Sequence, residues 1–191
     1  MKIVIKVIFT VYKPEKQYKG IDQLVADCQH NPSMVIHSLF PVFDAFRDRL
    51  QESNRKVNLY ALEALQGMVG LLKDDLSGVL YHLVPAIVDN HLNSKNCAVY
   101  SAATGALCEL VLNLDNSLLL EPFCFKARVL SGQAKVDLIE KVSAKFRCRQ
   151  EGSLVVISRK SVPDQSAFIS RMLACMANNG PNCPMSNGGG A

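Results

Sequence analysis

Histidine and cysteine side chains that could carry chemistry fall in two short stretches of the chain. Cys28 and His30 are near neighbours, and His82, His91 and Cys97 lie near the end of one predicted helix. A cysteine–histidine pair can act as a nucleophile and its general base, provided that a third group orients the base. The same side chains bind zinc, but a zinc site needs three or four ligands that converge.

Neither stretch has the partners that catalysis or metal binding requires. The sequence contains no C-x-x-C pair, no D-x-D carboxylate motif and no glycine-rich loop that leads into a helix. His91 and Cys97 flank one turn, which would give at most a weak and fortuitous metal affinity. We therefore expect no enzymatic activity, no cofactor and no dedicated metal site.

Composition indicates a helical protein with an aliphatic core. Of the 191 residues, 49% are hydrophobic and 20% are charged, which is typical of a globular domain. Aromatic residues make up 7% and tryptophan is absent, so leucine, valine, isoleucine and alanine must fill the core. The net charge of +4 is too small to indicate nucleic acid as a partner.

The cysteine count and the amino-terminal segment bear on the compartment. Seven cysteines, an odd number without a secretory signal, favour reduced, intracellular thiols. The segment MKIVIKVIFTVYK is apolar but short, and Lys6 interrupts it, so it makes a poor signal peptide. No stretch reaches the roughly 18 apolar residues of a membrane-spanning helix. We expect neither a membrane nor a small-molecule substrate as a partner.

Apolar residues recur at helical spacing from about residue 15 to residue 148. Serine, asparagine, aspartate and glycine punctuate this pattern where helix caps and turns belong. Ser33 and Ser77 are predicted N-caps, and Ser53 or Asn54 is predicted to cap the third helix. The predicted helices are 15–29, 34–52, 55–73, 78–92, 97–114, 118–130 and 134–148.

Proline recurs in three of these helices. Pro41, Pro85 and Pro122 lie inside or near the first turns, although an interior proline costs a helix about 3 kcal/mol. A recurring unit of about 40 residues, with a proline-kinked helix, a turn and a second helix, is the signature of HEAT repeats. The core positions of the second helices also recur at about this period: Val57, Ala61 and Leu65, then Val99, Ala103 and Leu107.

We therefore predict an all-α fold, an α-solenoid of HEAT-like helical hairpins. The helical domain is predicted to cover residues 15–148 with about three and a half repeats, after a divergent segment 1–14. The tail 149–191 lacks the repeat pattern and ends in a Gly/Asn/Pro-rich stretch, so we expect it to be largely disordered. Terminal repeats normally need polar caps, so we expect an uncovered flank on the last helix, formed by Val136, Ile139, Val142 and Phe146.

The turns of such a stack form two ridges that differ in charge. The within-repeat ridge, with turns at 53–56, 93–96 and 131–135, carries Arg55, Lys56, Lys95 and Lys135. The between-repeat ridge, with turns at 73–75 and 115–116, carries Lys73 against Asp74, Asp75 and Asp115. Stacking places successive turns about 10 Å apart, so the first ridge would form a basic stripe suited to an acidic protein surface. The alternative is that these lysines and arginines only solvate the turns.

Two runs of residues resemble a known family. PAIVDNHLNSKN and LLLEPFCFKARVLSGQAKVDLIEKV are similar to the tubulin-binding TOG domain, in particular that of the TOG array regulator of axonemal microtubules family, also called crescerin. The resemblance covers roughly residues 15–147. TOG domains are flat paddles of six HEAT repeats that contact tubulin through their within-repeat turns. The resemblance thus implies a non-enzymatic binder of tubulin or microtubules in the cytoplasm and cytoskeleton, acting in ciliary or axonemal microtubule regulation.

The family's binding turns can be carried over by position. The resemblance implies tubulin contacts for Asn54, Arg55, Lys56 and Val57 in the second repeat, Ser94, Lys95 and Asn96 in the third, and Lys135 in the fourth.

The chain departs from the family in two ways. Many TOG domains have a tryptophan in the first within-repeat turn, where this chain has Pro14, and the segment MKIVIKVIFTVYK replaces the first helix. The last two repeats are also absent, so the resemblance implies a TOG domain truncated at both ends. An adaptor that holds a protein or a peptide on the concave helical face is the alternative function.

Overall fold

Helices follow one another along the described chain, which comprises residues 14–89, 91–152, 170 and 174 of the computed structural model. No strand occurs within these residues, so the predicted all-α class is confirmed. No helix among them has the length and apolar character that crossing a membrane requires. The elements are α1 (Pro14–His30), α2 (Pro32–His37), α3 (Leu39–Leu50), α4 (Arg55–Leu72), a 3-10 helix (Lys73–Val79), α5 (Leu80–Val88), α6 (Cys97–Asn113), α7 (Asn116–Val129) and α8 (Gly132–Gly152).

The helices lie in two layers. In the partner layer, α4 packs between α1 and α6, and α6 packs against α8. In the proline layer, α5 packs between α3 and α7. Each helix therefore contacts the equivalent helix of the next repeat, as in an α-solenoid. Pro41, Pro85 and Pro122 lie in α3, α5 and α7, which are the equivalent helices that the repeat pattern predicted.

The predicted core positions of the partner layer are confirmed. Leu65 and Leu107 are completely buried, in the middle of α4 and α6. Because each of these leucines removes its side chain from water, replacing one with alanine would destabilise the fold by about 2–5 kcal/mol. The other four members, Val57, Ala61, Val99 and Ala103, are all 5% exposed or less.

Two predicted helices are interrupted or shortened in the structure. The predicted helix 34–52 is interrupted at Ser38, which ends α2 and precedes α3. Pro41 has no N–H to donate to the carbonyl of His37, and its ring crowds that carbonyl, which favours a break in the helix at this point. The predicted helix 78–92 is α-helical only from Leu80 to Val88, because a 3-10 helix precedes it.

The N-caps were predicted correctly in one case of three. Asn54 caps α4, and its side chain accepts a hydrogen bond from the backbone N–H of Lys56 at 3.1 Å. Ser33 is not a cap, because α2 already begins at Pro32, a residue that suits the first helical position. Ser77 lies inside the 3-10 helix and is likewise not an N-cap.

The carboxyl-terminal helix differs from the prediction in two respects. Ile139 and Val142, expected on an uncovered flank, are each only 1% exposed and belong to the continuous core, since α8 packs against α6 and α7. Val136 is half-buried. The helix also continues past residue 148 to Gly152. The side chain of Phe146, the segment before Pro14 and nearly all of the predicted tail lie outside the described residues, and the domain boundaries stay predictions.

Candidate protein-binding ridge

The within-repeat ridge presents exposed cations in its first two turns. Arg55 and Lys56 are exposed at the amino-terminal end of α4, and Lys95 is exposed just before α6. Because α4 and α6 pack side by side in the partner layer, their amino-terminal ends lie about 10 Å apart, the usual spacing of packed helices. The two turns therefore contribute to one basic surface.

These cations stand where helix electrostatics disfavours them. The amino-terminal end of a helix carries a partial positive charge, so it prefers acidic side chains by about 0.3–1 kcal/mol each. The first turns of α4 and α6 contain no acidic residue, and their last turns contain no basic residue. Stability of the helices therefore does not account for Arg55, Lys56 and Lys95.

The structure does not place Lys135 on this exposed surface. The helix α8 begins at Gly132, earlier than the predicted start at residue 134. Lys135 consequently lies within the first turn of the helix rather than in the turn before it, and its side chain is only 9% exposed. The third turn thus lacks the exposed cation that the sequence predicted at Lys135, and the predicted cations that are exposed lie in the first two turns.

Three further predicted site residues shape the turns. Asn54 caps α4, and Asn96 caps α6 by accepting hydrogen bonds from the N–H groups of Ala98 at 2.9 Å and Val99 at 3.3 Å. Ser94 supports the second turn, since its Oγ accepts from the N–H of Asn96 at 3.2 Å. Caps of this kind stabilise a helix by about 0.5–2 kcal/mol.

Val57 is the one predicted site residue that lies wholly in the core. It is completely buried, so its side chain supports α4 from inside and cannot contact a partner.

Buried hydrogen bonds join the first two turns beneath the surface. The side-chain nitrogen of Asn58 donates to the backbone carbonyl of Leu50 and to Nε2 of His91, the latter at 2.7 Å. Nδ1 of His91 in turn donates to the carbonyl of Ile87 at 2.8 Å. Asn58 is 6% exposed and His91 is 1% exposed. Sequence reasoning considered His91 only as a weak metal ligand and did not single out Asn58, so it missed the bond between them.

Further side chains connect the ridge along its length. Lys126, near the end of α7, forms an ion pair with Asp89, the C-cap of α5. At the first turn, the side-chain nitrogen of Gln17 in α1 donates to Glu52 at 3.2 Å, and Arg49 pairs with the same carboxylate at 3.0 Å. Every pair of adjacent repeats is therefore linked at this edge.

Tyr100 provides another link between neighbouring helices of the partner layer. Its hydroxyl, in the first turn of α6, donates to Asp137 of α8 at 2.9 Å. Burial, followed by this hydrogen bond and the negative charge of Asp137, raises the pKa of Tyr100. The phenol therefore remains a donor at neutral pH.

The histidine and cysteine candidates for chemistry are engaged in structural roles. Both ring nitrogens of His91 have partners in the protein, so this side chain is not available to bind a metal together with the exposed Cys97. Burial, with a smaller contribution from the charge of Asp27, raises the pKa of Cys28 to about 12. Cys28 is therefore a neutral thiol near pH 7, and a neutral thiol is a poor nucleophile.

The other histidines of these stretches are also in contact with their surroundings. Nδ1 of His30 donates to the carbonyl of Ala26 at 2.8 Å, and the ring of His82 meets Phe40 edge-on at 5.4 Å. Within residues 14–89 and 91–152, no three His, Cys, Asp or Glu side chains are grouped to hold a metal ion.

The between-repeat ridge is acidic, and a hydrogen bond joins its two turns. Asp74 and Asp75 are exposed in the 3-10 helix, and Asp115 is exposed where it caps α7. A carboxylate oxygen of Asp74 accepts a hydrogen bond from the N–H of Asp115 at 2.7 Å. Lys73, the cation of this ridge, is exposed and adopts a positive φ of 47° at the end of α4.

Two curated proteins share a long segment with this chain. The mouse and the human "TOG array regulator of axonemal microtubules protein 1" are each 50% identical to it over 124 residues, or 65% of this chain. The chain spans only 7% of the length of these relatives. No family model matches the sequence. The resemblance that the two runs of residues carry is nevertheless confirmed by this identity: about two thirds of the chain is similar in sequence to these two TOG array regulators of axonemal microtubules.

Proposed function

We propose that this chain is a non-enzymatic module that binds tubulin or microtubules through its within-repeat ridge. The observation that carries this proposal is the placement of Arg55, Lys56 and Lys95 at helix amino-terminal ends, where they do not help the helices. These cations do not stabilise their own helices, and binding to an acidic partner would explain why they are there. This argument favours binding over the alternative that the cations merely solvate turns.

The named relatives support the choice of partner. The mouse and human proteins are described as regulators of axonemal microtubules. A segment that shares half of its residues with them, and that presents basic turns at the edge of a HEAT-like stack, suits a role in microtubule regulation at the cytoskeleton of the cilium or axoneme. The partner would be the acidic surface of tubulin.

The proposed surface consists of the three exposed cations and the turns that hold them. Each exposed contact would contribute about 0.2–1 kcal/mol, as surface ion pairs do, so a single substitution would have a weak effect and a combination a strong one. Arg128, exposed in the last turn of α7, extends the basic surface beside the third turn in place of the buried Lys135.

The test combines charge reversal at the ridge with a control on the opposite edge. A variant carrying Arg55→Glu, Lys56→Glu and Lys95→Glu should keep its fold, because acidic residues are favoured at helix amino-terminal ends. We expect its affinity for tubulin, measured by co-sedimentation and size-exclusion chromatography, to fall by about tenfold or more. Lys73→Glu on the between-repeat ridge is the matched control and should bind as the unmodified protein does.

Salt provides the second arm of this test. Exposed charges are screened over about 8–10 Å at physiological ionic strength, so the affinity of the unmodified protein should fall as salt rises. Equal binding by the triple variant and the unmodified protein at both low and high salt would contradict the ridge mechanism.

An adaptor function has one observation in its favour. The proline layer exposes aromatic side chains from three successive helices: Phe40 at 55%, Tyr81 at 53% and Phe125 at 53%. Tyr81 and Phe125 meet edge-on at 6.4 Å. Exposed aromatic residues are enriched at protein interfaces. Full binding by the triple ridge variant would make this helical face the better candidate.

A further inference from the structure

A chain of buried hydrogen bonds connects the ends of two proline-layer helices. Leu50 is the last residue of α3, and Ile87 lies at the end of α5. Between their carbonyl oxygens lie the side chains of Asn58, in the first turn of α4, and His91, in the turn before α6. The last carbonyls of a helix have no partner within the helix, so this chain of bonds satisfies one such carbonyl in each repeat.

The partners fix the direction of every bond. A carbonyl oxygen only accepts, so Nδ1 of His91 carries a hydrogen and donates to Ile87. Nε2 is then the acceptor for one hydrogen of the Asn58 amide, and the other hydrogen goes to Leu50. Both ring nitrogens of the histidine and both hydrogens of the asparagine amide nitrogen are therefore used.

Stability alone does not account for these polar residues in the core. The side-chain oxygen of Asn58 is buried and has no hydrogen-bond partner among the described residues, and a buried polar atom without a partner is unfavourable. Apolar side chains of similar size often replace buried polar groups without loss of stability. What these hydrogen bonds do provide is a fixed distance and a fixed orientation between two turns.

The two turns that they join are those with the exposed cations. Asn58 belongs to the helical turn that Arg55 and Lys56 begin, and His91 belongs to the same turn of the chain as Lys95. A displacement at the buried bond would therefore move one set of cations relative to the other. A surface that is already ordered loses less conformational entropy on binding.

We propose that Asn58 and His91 are positioning residues, which hold the two basic turns at the fixed spacing that the acidic partner requires. This inference rests on the proposed function for its consequence in binding. Its structural part, the coupling of the two turns, is independent of tubulin and can be measured on the protein alone.

The experiment compares two substitutions of His91. His91→Phe keeps a ring of similar size but removes both nitrogens, whereas His91→Gln retains an oxygen that can accept from Asn58 and an amide that can donate to Ile87. In the free protein, we expect His91→Phe to accelerate backbone hydrogen exchange by about tenfold at Lys95 and Asn96. His91→Gln should restore most of the protection. Unchanged exchange in His91→Phe would overturn the proposal, whether or not tubulin binds.

The binding arm separates positioning from a simple loss of stability. His91→Phe should weaken tubulin binding about fivefold and should also reduce its salt dependence, because fewer cations contact the partner together. Leu65→Ala, which opens the core of α4 away from the ridge, is the destabilised control. It should leave the salt dependence of the folded protein unchanged.

The outcomes distinguish the two proposals. Faster exchange in His91→Phe with an unmodified protein that does not bind tubulin would support the coupling of the turns and contradict the proposed partner. An unmodified protein that binds, with His91→Phe binding equally well and with the same salt dependence, would overturn the positioning role and leave the proposed function standing.

Discussion

The two ridges of turns differ in charge, and a buried hydrogen bond supports the first of them. At the within-repeat ridge, exposed cations lie above a buried link between Asn58 and His91. At the between-repeat ridge, exposed carboxylates predominate, and the described link is a surface bond from the N–H of Asp115 to Asp74. One edge of the solenoid thus combines charges that disfavour its helices with an internal support, whereas the other edge carries carboxylates that suit the starts of its helices.

This difference supports the proposal that a partner binds at the within-repeat ridge. Carboxylates at the between-repeat ridge follow local rules, because Asp115 caps α7 and acids suit the start of a helix. Cations at the within-repeat ridge contradict the same rules. This departure from local stability is the physical reason for proposing the within-repeat ridge as the binding surface.

The largest expected effect is a difference in reactivity between two cysteines. Cys97 is exposed at the first position of α6, on the within-repeat ridge, and should react readily with an alkylating reagent. Cys28 is buried, and its pKa is raised to about 12, so it should react about a thousandfold more slowly, through transient unfolding. Mass spectrometry of the alkylated peptides measures both rates.

Tubulin should protect Cys97 if it covers the within-repeat ridge. The matched control is Ser77→Cys, which places a thiol at an exposed position of the between-repeat ridge. Protection of the thiol introduced by Ser77→Cys, with free reaction of Cys97, would reverse the assignment of the two edges.

Much of the fold could be predicted because the helices repeat a simple pattern. Core positions such as Leu65 and Leu107 recur at helical spacing, and burial of one apolar face per helix follows from that spacing. The prolines marked the equivalent helices, but sequence reasoning did not foresee that Pro41 interrupts the predicted helix at Ser38.

The site was harder to predict, since it depends on side-chain directions and on contacts between distant residues. Lys135 lies in the first turn of α8, which begins at Gly132, and it is buried there. The residues of the turn alone do not indicate which side of the helix Lys135 occupies. The bond from Asn58 to His91 joins residues that are 33 positions apart. Nothing in either local sequence identifies the other partner.

A smaller expected effect is a difference between the two ridges in how much one carboxylate contributes to the free energy of unfolding. Asp89→Ala removes the partner of Lys126, whose side chain is only 9% exposed. A charge-assisted hydrogen bond is lost and the ammonium group is left without its carboxylate, so we expect a loss of about 1–3 kcal/mol in the free energy of unfolding. Urea unfolding followed by circular dichroism provides the measurement.

The corresponding change on the between-repeat ridge is Asp74→Ala, which removes an exposed hydrogen bond to Asp115. We expect it to cost about 0.5–1 kcal/mol. Asp75→Ala, at the next exposed position, should fall within about 0.5 kcal/mol of the unmodified protein. A loss for Asp74→Ala that equals or exceeds the loss for Asp89→Ala would show that the two edges are held equally firmly.

The smallest expected effect is a gain in stability that accompanies a loss of affinity. Arg55 is the first residue of α4, where an acidic side chain interacts favourably with the helix dipole and a basic one unfavourably. Arg55→Glu should therefore stabilise the free protein, by about 0.3–1 kcal/mol at low ionic strength, while it weakens binding to an acidic partner. If Arg55 serves binding, this one exposed substitution should raise the free energy of unfolding and lower the affinity for the partner. Lys73→Glu, beyond the end of α4 on the other ridge, lacks the position that gives Arg55 its dipole effect and should leave affinity unchanged. Destabilisation by Arg55→Glu would contradict the electrostatic argument on which the choice of the within-repeat ridge depends, because it would mean that Arg55 serves the helix rather than a partner.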